Sequence, residues 1–396
     1  MRIAVTGMGV VAPGAVGVEH FRALLDEGRS AVTAVDRFDT TGLAAHTAAV
    51  VRDFKARDFI APMKMRRMNL LSRYGIAAAK LAIDDAGVAL PNTAGVALGT
   101  SFGPVQTSVD YMQEYVEKGA ALAPPQLFAE SVANAPGSHI AIEHDLRGFN
   151  VTITQRESSA LAAAMYACSQ VAKGTVTSAL TGGVEELNEM VFSVLDSLGA
   201  LAHPNGAVDE CARPFDRRRN GFVIGEGSAI LVAEATPSKA PYGYFAGFGM
   251  ARDTTATISD WGDDANAVVA AMRAALDDAE IAAADVDAIY ASANASVRAD
   301  RVEARAIRAL FENVPVVATK GIFGEYAGAG SLQLAAALLA VRDQKLHRSV
   351  GFEQIDPDLG VTPTANGQRS TVNHVLINSI SAGGGIVCAV VSKEAA

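Results

Sequence analysis

The stretch Ala77-Ala-Ala-Lys-Leu-Ala-Ile-Asp-Asp-Ala86 occurs a second time, slightly altered, as Ala270-Ala-Met-Arg-Ala-Ala-Leu-Asp-Asp-Ala279. Each copy predicts an amphipathic helix and leads into an apolar segment that predicts a strand, Ala94–Gly99 and Val286–Ala291. The copies are 193 residues apart (270 minus 77), far beyond the period of a solenoid. We therefore expect an α/β fold of two duplicated halves, residues 1–240 and 241–396, unless the two alanine-rich helices resemble each other by chance.

Composition excludes several classes of function. The chain has 396 residues, 50% of them hydrophobic, and a formal net charge of −10, whereas nucleic-acid binding needs a basic surface. No apolar run reaches the ~20 residues of a membrane span, and the richest, Leu332–Val341, stops at Arg342. The seven histidines show no metal-ligand spacing, and no cofactor is expected. We expect a protein of the cytoplasm that contacts neither membrane nor nucleic acid.

The cysteine pattern agrees with a reducing compartment. Cys168, Cys211 and Cys388 are widely spaced, form no C-x-x-C motif and lie in or near apolar runs. Such cysteines are typical of buried free thiols.

Two glycine-rich motifs suggest other activities. Gly7 and Gly9 after an apolar strand imitate a dinucleotide fingerprint, but Pro13 and a further glycine delay the helix that must hold the pyrophosphate, so we reject this interpretation. The segment around Ser101 matches the G-x-S-x-G elbow of hydrolases, with His374 as a possible base. An acyl-handling hydrolase or acyltransferase that uses Ser101 therefore stays open as an alternative.

The segment Asn150–Leu161 places an acidic side chain where a nucleophile would be expected. β-Branched residues alternate at its start and an alanine-rich helix follows, so Glu157 is predicted at a strand-to-helix turn. The free N–H groups of a helix start would activate a cysteine thiol there, and they favour an anion by about 0.3–1 kcal/mol. Glutamate is a poor acyl carrier, because its attack on a thioester gives an anhydride that water destroys.

Several motifs together resemble the β-ketoacyl synthases of the thiolase superfamily, in the same order and over nearly the full length. They are Val5–Pro13, Arg213–Asp216 with Asn220–Gly227, Thr319–Lys320 with Gly324 and Gly328–Gly330, and Asn378–Gly384. The resemblance implies a thiolase-like fold, five α/β/α/β/α layers built from duplicated halves, which usually dimerises across edge strands of the first half.

The same resemblance implies that the catalytic positions are degenerate. The nucleophilic cysteine is replaced by Glu157, and the two histidines are replaced by Ser292 and Glu325, while Lys320 survives. In the last loop, Ala382 takes the place of a gating phenylalanine. A condensation that decarboxylates malonyl thioester needs a thiolate and two imidazoles, so no catalytic residue is expected here.

This pattern of losses resembles the chain length factor, the β subunit that pairs with an active ketosynthase α subunit in type II polyketide synthases. The resemblance implies a heterodimer supplied by an acyl carrier protein that docks mainly on the ketosynthase. Chain length factors for aromatic products commonly carry glutamine at the nucleophile position. Glutamate preceded by Arg156 leaves the product class open and favours a reduced or polyene chain.

A helix of the factor closes the far end of the acyl tunnel in this family, and the matching stretch is Phe102–Tyr115. Pro104, Thr107 and Ser108 share one helical face with the larger Tyr111 and Met112. We predict that the large pair closes the tunnel and sets product length. Ordinary core packing of an amphipathic helix is the alternative.

Overall fold

The computed structural model describes residues 2–66, 68–206 and 208–395. The helices are α1 (Val18–Glu27), α2 (Pro62–Met65), α3 (Leu70–Ala86), α4 (Val105–Lys118), α5 (Pro125–Glu130), α6 (Ala135–Glu143), α7 (Ser159–Ala172), α8 (Glu189–Ser197), α9 (Ala265–Ala279), α10 (Val297–Leu310), α11 (Lys320–Phe323) and α12 (Ala327–Asp343). The strands are β1 (Ile3–Ala12), β2 (Ala15–Val16), β3 (Val32–Ala34), β4 (Thr47–Ala49), β5 (Gly95–Gly99), β6 (Asn150–Ile153), β7 (Ser178–Glu185), β8 (Gly227–Glu234), β9 (Gly243–Arg252), β10 (Ala288–Tyr290), β11 (Val316–Val317), β12 (Lys345–Leu346), β13 (Gln368–Arg369), β14 (His374–Ile380) and β15 (Gly385–Ser392).

The strand order repeats between the two parts of the chain. Hydrogen bonds connect the main strands in the order β11-β10-β14-β15-β9-β1-β8-β7-β5-β6. Counted from the β6 end, the strands β6, β5, β7, β8 and β1 are the third, second, fourth, fifth and first of their set in chain order. Counted from the β11 end, the strands β11, β10, β14, β15 and β9 have the same order within their own set. The antiparallel pairing of β1 with β9 joins the two sets. This topology confirms the predicted α/β, thiolase-like fold with duplicated halves. The boundary between residues 240 and 241 stays a prediction.

The layers follow from which helices cover which strands. Helix α3 packs on β1 and β8, while α9 packs on β9 and β15. Helices α7 and α12 contact each other and lie between the two sets of strands, because α12 touches both β8 and β14. Its residues from Ala327 to Val341 are all buried, as expected for a helix that is apolar all round. Among the described residues, no helix is long and apolar enough to cross a membrane.

Glycines in β1 and β9 let the repeated helices approach their strands equally closely. A Cβ atom at Gly9 would lie 1.9 Å from the carbonyl oxygen of Ala78, and one at Gly249 would lie 2.0 Å from that of Ala271. Ala78 and Ala271 are equivalent positions of the repeated stretch. Gly9 is therefore a packing residue, which explains the false resemblance to a dinucleotide fingerprint.

The prediction for the cysteines is right for two of the three. Cys168 and Cys388 are buried free thiols. The prediction is wrong for Cys211, which is only partly buried, because it lies in an irregular segment between β7 and β8 rather than in a core strand or helix.

Candidate functional site

Glu157 lies in a tight turn between β6 and α7. A 3₁₀ turn over Arg156–Ser158 joins the two elements, and the Ser159 hydroxyl stabilises it by accepting the N–H of Gln155 at 2.8 Å. Arg156 has a φ of 50°, a left-handed conformation that is uncommon outside glycine. The side chain of Glu157 is turned inward, and the residue is only 8% exposed. The strand-to-helix turn predicted from the sequence pattern is therefore present, and we call this turn at Glu157 the elbow.

The last loop of the chain supplies the neighbours of Glu157. The backbone N–H of Ala382 donates to Oε2 of Glu157 at 3.1 Å, and the Ser379 hydroxyl donates to the Glu157 carbonyl at 3.0 Å. Two segments more than 200 residues apart thus meet at this carboxylate, because β14 and β15 pack against the 3₁₀ turn. The Ala382 N–H is already engaged by the protein's own side chain.

Lys320 and Glu325 form a buried ion pair in the same region. Nζ of Lys320 lies 2.5 Å from Oε2 of Glu325, and the two residues are 1% and 2% exposed. The side-chain amide of Asn294 donates to the same oxygen at 2.8 Å. Oε1 of Glu325 has no hydrogen-bond partner among the described residues. The ammonium group is therefore neutralised inside the protein.

The hydroxyl and the backbone N–H of Ser292 both form hydrogen bonds within the protein. Its hydroxyl oxygen accepts the N–H of Ile380 at 2.9 Å, and its own N–H donates to Oε1 of Glu303 at 2.8 Å. The Asn378 amide donates to that same carboxylate oxygen at 2.9 Å. Ser292 thus connects the end of β14 to helix α10.

Burial raises the pKa of the Glu157 and Glu325 carboxyls. The pKa of Glu157 rises to about 7, first because the group is removed from water and second because the Glu325 carboxylate lies near it. Burial also raises the pKa of Glu325, against the opposing effect of Lys320. The fold therefore brings the positions predicted as degenerate into one buried cluster, in which Lys320 pairs with Glu325 and acts on Glu157 only through its charge.

Within the described parts of the chain, no histidine forms a hydrogen bond to this cluster. The hydrogen bonds of the described histidines all go to other residues, as His347 bonds Tyr290 and His374 bonds Ser392. In residues 2–66, 68–206 and 208–395, no group of three or more His, Cys, Asp or Glu side chains is placed to hold a metal ion.

Asn294, which was not predicted from the sequence, completes the polar cluster. It lies two residues after Ser292 in the loop between β10 and α10, and its side chain reaches Glu325 across 31 residues of sequence. Only its short distance from Ser292 could have pointed to it. Trp261 was missed as well. It is buried, and its indole N–H donates to the carbonyl of Ile380 at 3.3 Å, beneath the last loop.

The helix predicted to close a tunnel lies largely at the surface. Helix α4 begins at Val105, so Pro104 precedes it, and Thr107 is its buried residue. Ser108 and Tyr111 are half-buried, and Met112 is 52% exposed. Tyr111 packs against Phe128 of α5, with ring centroids 5.6 Å apart. Core packing does not account for Met112.

Exposed large apolar side chains are frequent on this part of the surface, which we call the α4–α5 face. It comprises Phe102, Met112, Tyr115, Val116, Leu122, Phe128 and Val132. Clusters of exposed apolar side chains can mark protein interaction sites.

The Ser101 alternative gains no support from the geometry. The Ser101 N–H donates to Oε2 of Glu185 at 2.6 Å, and helix α4 starts four residues later rather than directly at the serine. Its proposed base, His374, begins β14 and bonds Ser392 at 2.8 Å. The Ser101 N–H thus bonds a carboxylate, and the bond of His374 goes to Ser392 rather than to Ser101.

Family comparisons agree with this architecture. Residues 1–238 match the model of the β-ketoacyl synthase N-terminal domain, and residues 242–353 match that of its C-terminal domain. The chain belongs to the β-ketoacyl synthase family.

Similar proteins include both synthases and a synthase-like subunit. The chain is 31% identical over 380 residues to the tetracenomycin polyketide synthase ketoacyl synthase beta subunit of Streptomyces glaucescens, covering 91% of this chain and 90% of that protein. It is 29% identical over 401 residues to 3-oxoacyl-[acyl-carrier-protein] synthase 2 of Vibrio harveyi, covering 97% and 96%. The solved structure of the ishigamide ketosynthase/chain length factor superposes with a TM-score of 0.92 at 26% identity, over 100% of this chain and 99% of that chain.

Proposed function

We propose that this chain is a noncatalytic chain length factor, which pairs with an active ketosynthase and shapes the tunnel in which the acyl chain grows. One observation carries the proposal. The residue at the elbow is Glu157, and its buried carboxylate accepts the Ala382 N–H. The place of the nucleophile thus holds an anion that the fold itself binds.

The elbow has lost the means to carry an acyl group. Transfer from a thioester needs a good nucleophile and free N–H groups for the oxygen that becomes negatively charged. Glu157 is a weak nucleophile whose acyl product is an anhydride, and its own carboxylate engages the N–H of Ala382. A substrate oxygen would have to displace this carboxylate first.

The side chains that would promote decarboxylation are missing as well. The Ser292 hydroxyl oxygen accepts the backbone N–H of Ile380. Glu325 presents a carboxylate where an imidazole would stabilise an enolate. Lys320 is neutralised by Glu325. The pair of Glu157 and Glu325 would also repel the malonyl carboxylate.

The α4–α5 face supports the proposed partner. Its exposed apolar side chains suit burial against a second, similar subunit, and the ishigamide structure pairs a ketosynthase with a chain length factor. In such a heterodimer Tyr111 and Met112 line the far end of the partner's tunnel. The acyl carrier protein delivers its cargo to the ketosynthase, because the present chain holds no thiol at the elbow.

Co-expression with a ketosynthase tests the proposal. The two chains should co-purify, and the pair should make polyketide from malonyl carrier protein while this chain alone makes none. Met112→Asp should weaken the pair about tenfold or more, since it buries a charge in the interface. Ile258→Asp is the matched control, because Ile258 is exposed but lies outside the α4–α5 face. Condensation by the isolated chain would refute the proposal, and labelling of Ser101 by a serine-reactive probe would favour the hydrolase alternative.

A further inference from the structure

Arg213 is a buried cation that forms no ion pair with the described residues. It lies in the irregular segment between β7 and β8 and is 8% exposed. Its guanidinium forms one hydrogen bond in the described part of the chain, from Nη1 to Sγ of Cys211, and Nε has no partner there. A buried charge is costly unless an opposite charge compensates it, so this site lacks an anion.

The carboxylates whose charges reach this site are held by another arginine. Asp216 and Glu353 both pair with Arg218, at 2.9 Å and 2.8 Å. Asp216 also accepts the backbone N–H groups of Glu353 and Gln354, each at 2.7 Å. These contacts fix both carboxylates on Arg218 and leave the charge of Arg213 uncompensated.

Cys211 is the group that the Arg213 guanidinium contacts. It is a free thiol and is partly buried, whereas Cys168 and Cys388 are buried. A partly exposed sulfur beside a guanidinium is the environment in which cysteines become susceptible to oxidation. Burial raises the pKa of the Cys211 thiol, and the Arg213 charge opposes this rise. The reduced thiol is therefore largely neutral, and only an anionic form of the sulfur compensates the arginine.

We propose that Cys211 is a peroxide-sensitive modification site, at which oxidation to a sulfenate supplies the anion that Arg213 lacks. The thiolate attacks one oxygen of hydrogen peroxide, so that an S–O bond forms and the O–O bond breaks. The sulfur is oxidised by two electrons, and the departing hydroxide takes up the thiol proton as water. A sulfenic acid ionises more readily than a thiol, and its oxygen accepts a charge-assisted hydrogen bond from the guanidinium. The proposal stands whether or not the chain is a chain length factor.

The other two cysteines serve as controls within the same chain. Burial raises the pKa of both thiols, and at Cys388 the Glu303 carboxylate raises it further. The Cys388 thiol donates a hydrogen bond to the side-chain oxygen of Asn378 at 3.3 Å, so it faces an uncharged group. Neither sulfur has the guanidinium contact of Cys211, and both should react with peroxide far more slowly.

Hydrogen peroxide and the sulfenic-acid reagent dimedone, applied to the folded full-length chain, test the proposal by peptide mass spectrometry. Cys211 should be labelled at least tenfold faster than Cys168 and Cys388. Arg213→Gln should slow its labelling about tenfold, and Arg213→Lys should slow it less, because lysine keeps the charge. Arg217→Gln is the matched control, since Arg217 is an exposed arginine of the same segment, and it should leave the labelling unchanged.

A second measurement separates the charge of Arg213 from its effect on exposure. Iodoacetate and iodoacetamide alkylate the same thiolate and differ in charge, so exposure and thiolate fraction cancel in the ratio of their rates at Cys211. Arg213→Gln should lower this ratio about fivefold. An unchanged ratio, or labelling of Cys211 no faster than that of the two buried cysteines, overturns the proposal. The comparison of the three thiols needs no variant, so it decides the question even if Arg213→Gln does not fold.

Discussion

Removing the ammonium group of Lys320 should strongly destabilise the protein. Lys320→Met keeps the apolar stem but leaves Glu325 without its cation, at a position that is 2% exposed. One oxygen of Glu325 already has no hydrogen-bond partner among the described residues, so only the Asn294 amide would remain to stabilise the charge. Repulsion from Glu157 would increase the cost, since both carboxyls lie in one buried cluster.

The magnitude follows from the burial of both partners. Breaking a buried ion pair by removing one member typically costs about 3–5 kcal/mol, whereas replacing both members by neutral groups of similar volume is nearly neutral. Glu325→Gln alone should cost a similar amount, because it leaves the Lys320 ammonium buried and unpaired. The double variant Lys320→Met/Glu325→Gln should cost about 1 kcal/mol, so the coupling between the two residues is several kcal/mol.

Urea unfolding of the four proteins at pH 7.5, followed by circular dichroism, measures these differences. Lys173→Met is the matched control. It removes an exposed lysine and should change the free energy of unfolding by no more than about 0.5 kcal/mol. A loss below about 1 kcal/mol for Lys320→Met, or a double variant as unstable as the sum of the two single variants, would refute the buried pair.

Three further predictions concern the elbow and the tunnel. Burial raises the pKa of Glu157 from 4.5 to about 7, so the folded state holds a proton that the unfolded state has lost, and this contribution to stability is present below pH 4.5 and disappears as the pH rises through 7. Glu157→Gln should therefore gain on the order of 3 kcal/mol relative to wild type between pH 4.5 and 8 in urea unfolding, and equal slopes for both proteins would contradict the shift. Glu157→Cys should not restore condensation in a radiolabelled malonyl assay, because no imidazole accompanies it, and activity from this single change would disprove the assigned roles. Tyr111→Ala in the reconstituted complex should give longer products by mass spectrometry, with Gln113→Ala on the exposed side of α4 as control, and an unchanged product length would remove Tyr111 from the tunnel.

Much of the architecture was accessible from local pattern. The repeat between Ala77–Ala86 and Ala270–Ala279 predicted two similar halves, and the strand order and the paired glycines agree with it. The elbow at Glu157 followed from β-branched alternation next to an alanine-rich helix. Local pattern succeeded at these places because backbone propensity and packing favour the same structure.

Long-range contacts explain what the sequence analysis missed. No sequence pattern near Asn294 predicts that its amide contacts Glu325. Likewise, no pattern near Arg156 predicts that it lines the same cavity as Arg252. The partial exposure of Cys211 was missed because apolar neighbours in sequence do not guarantee burial in an irregular segment.

The sequence by itself determined the duplicated α/β class and the family resemblance, and it predicts the loss of the nucleophile and both imidazoles, because these depend on residue type and on periodicity along the chain. Only the tertiary structure decided which groups of the protein engage the two glutamates: the Lys320 ammonium faces Glu325, and the Ala382 N–H faces Glu157. The reason is that hydrogen bonds and ion pairs act over a few ångströms of space. Which groups come that close depends on how the sheets and the two central helices pack.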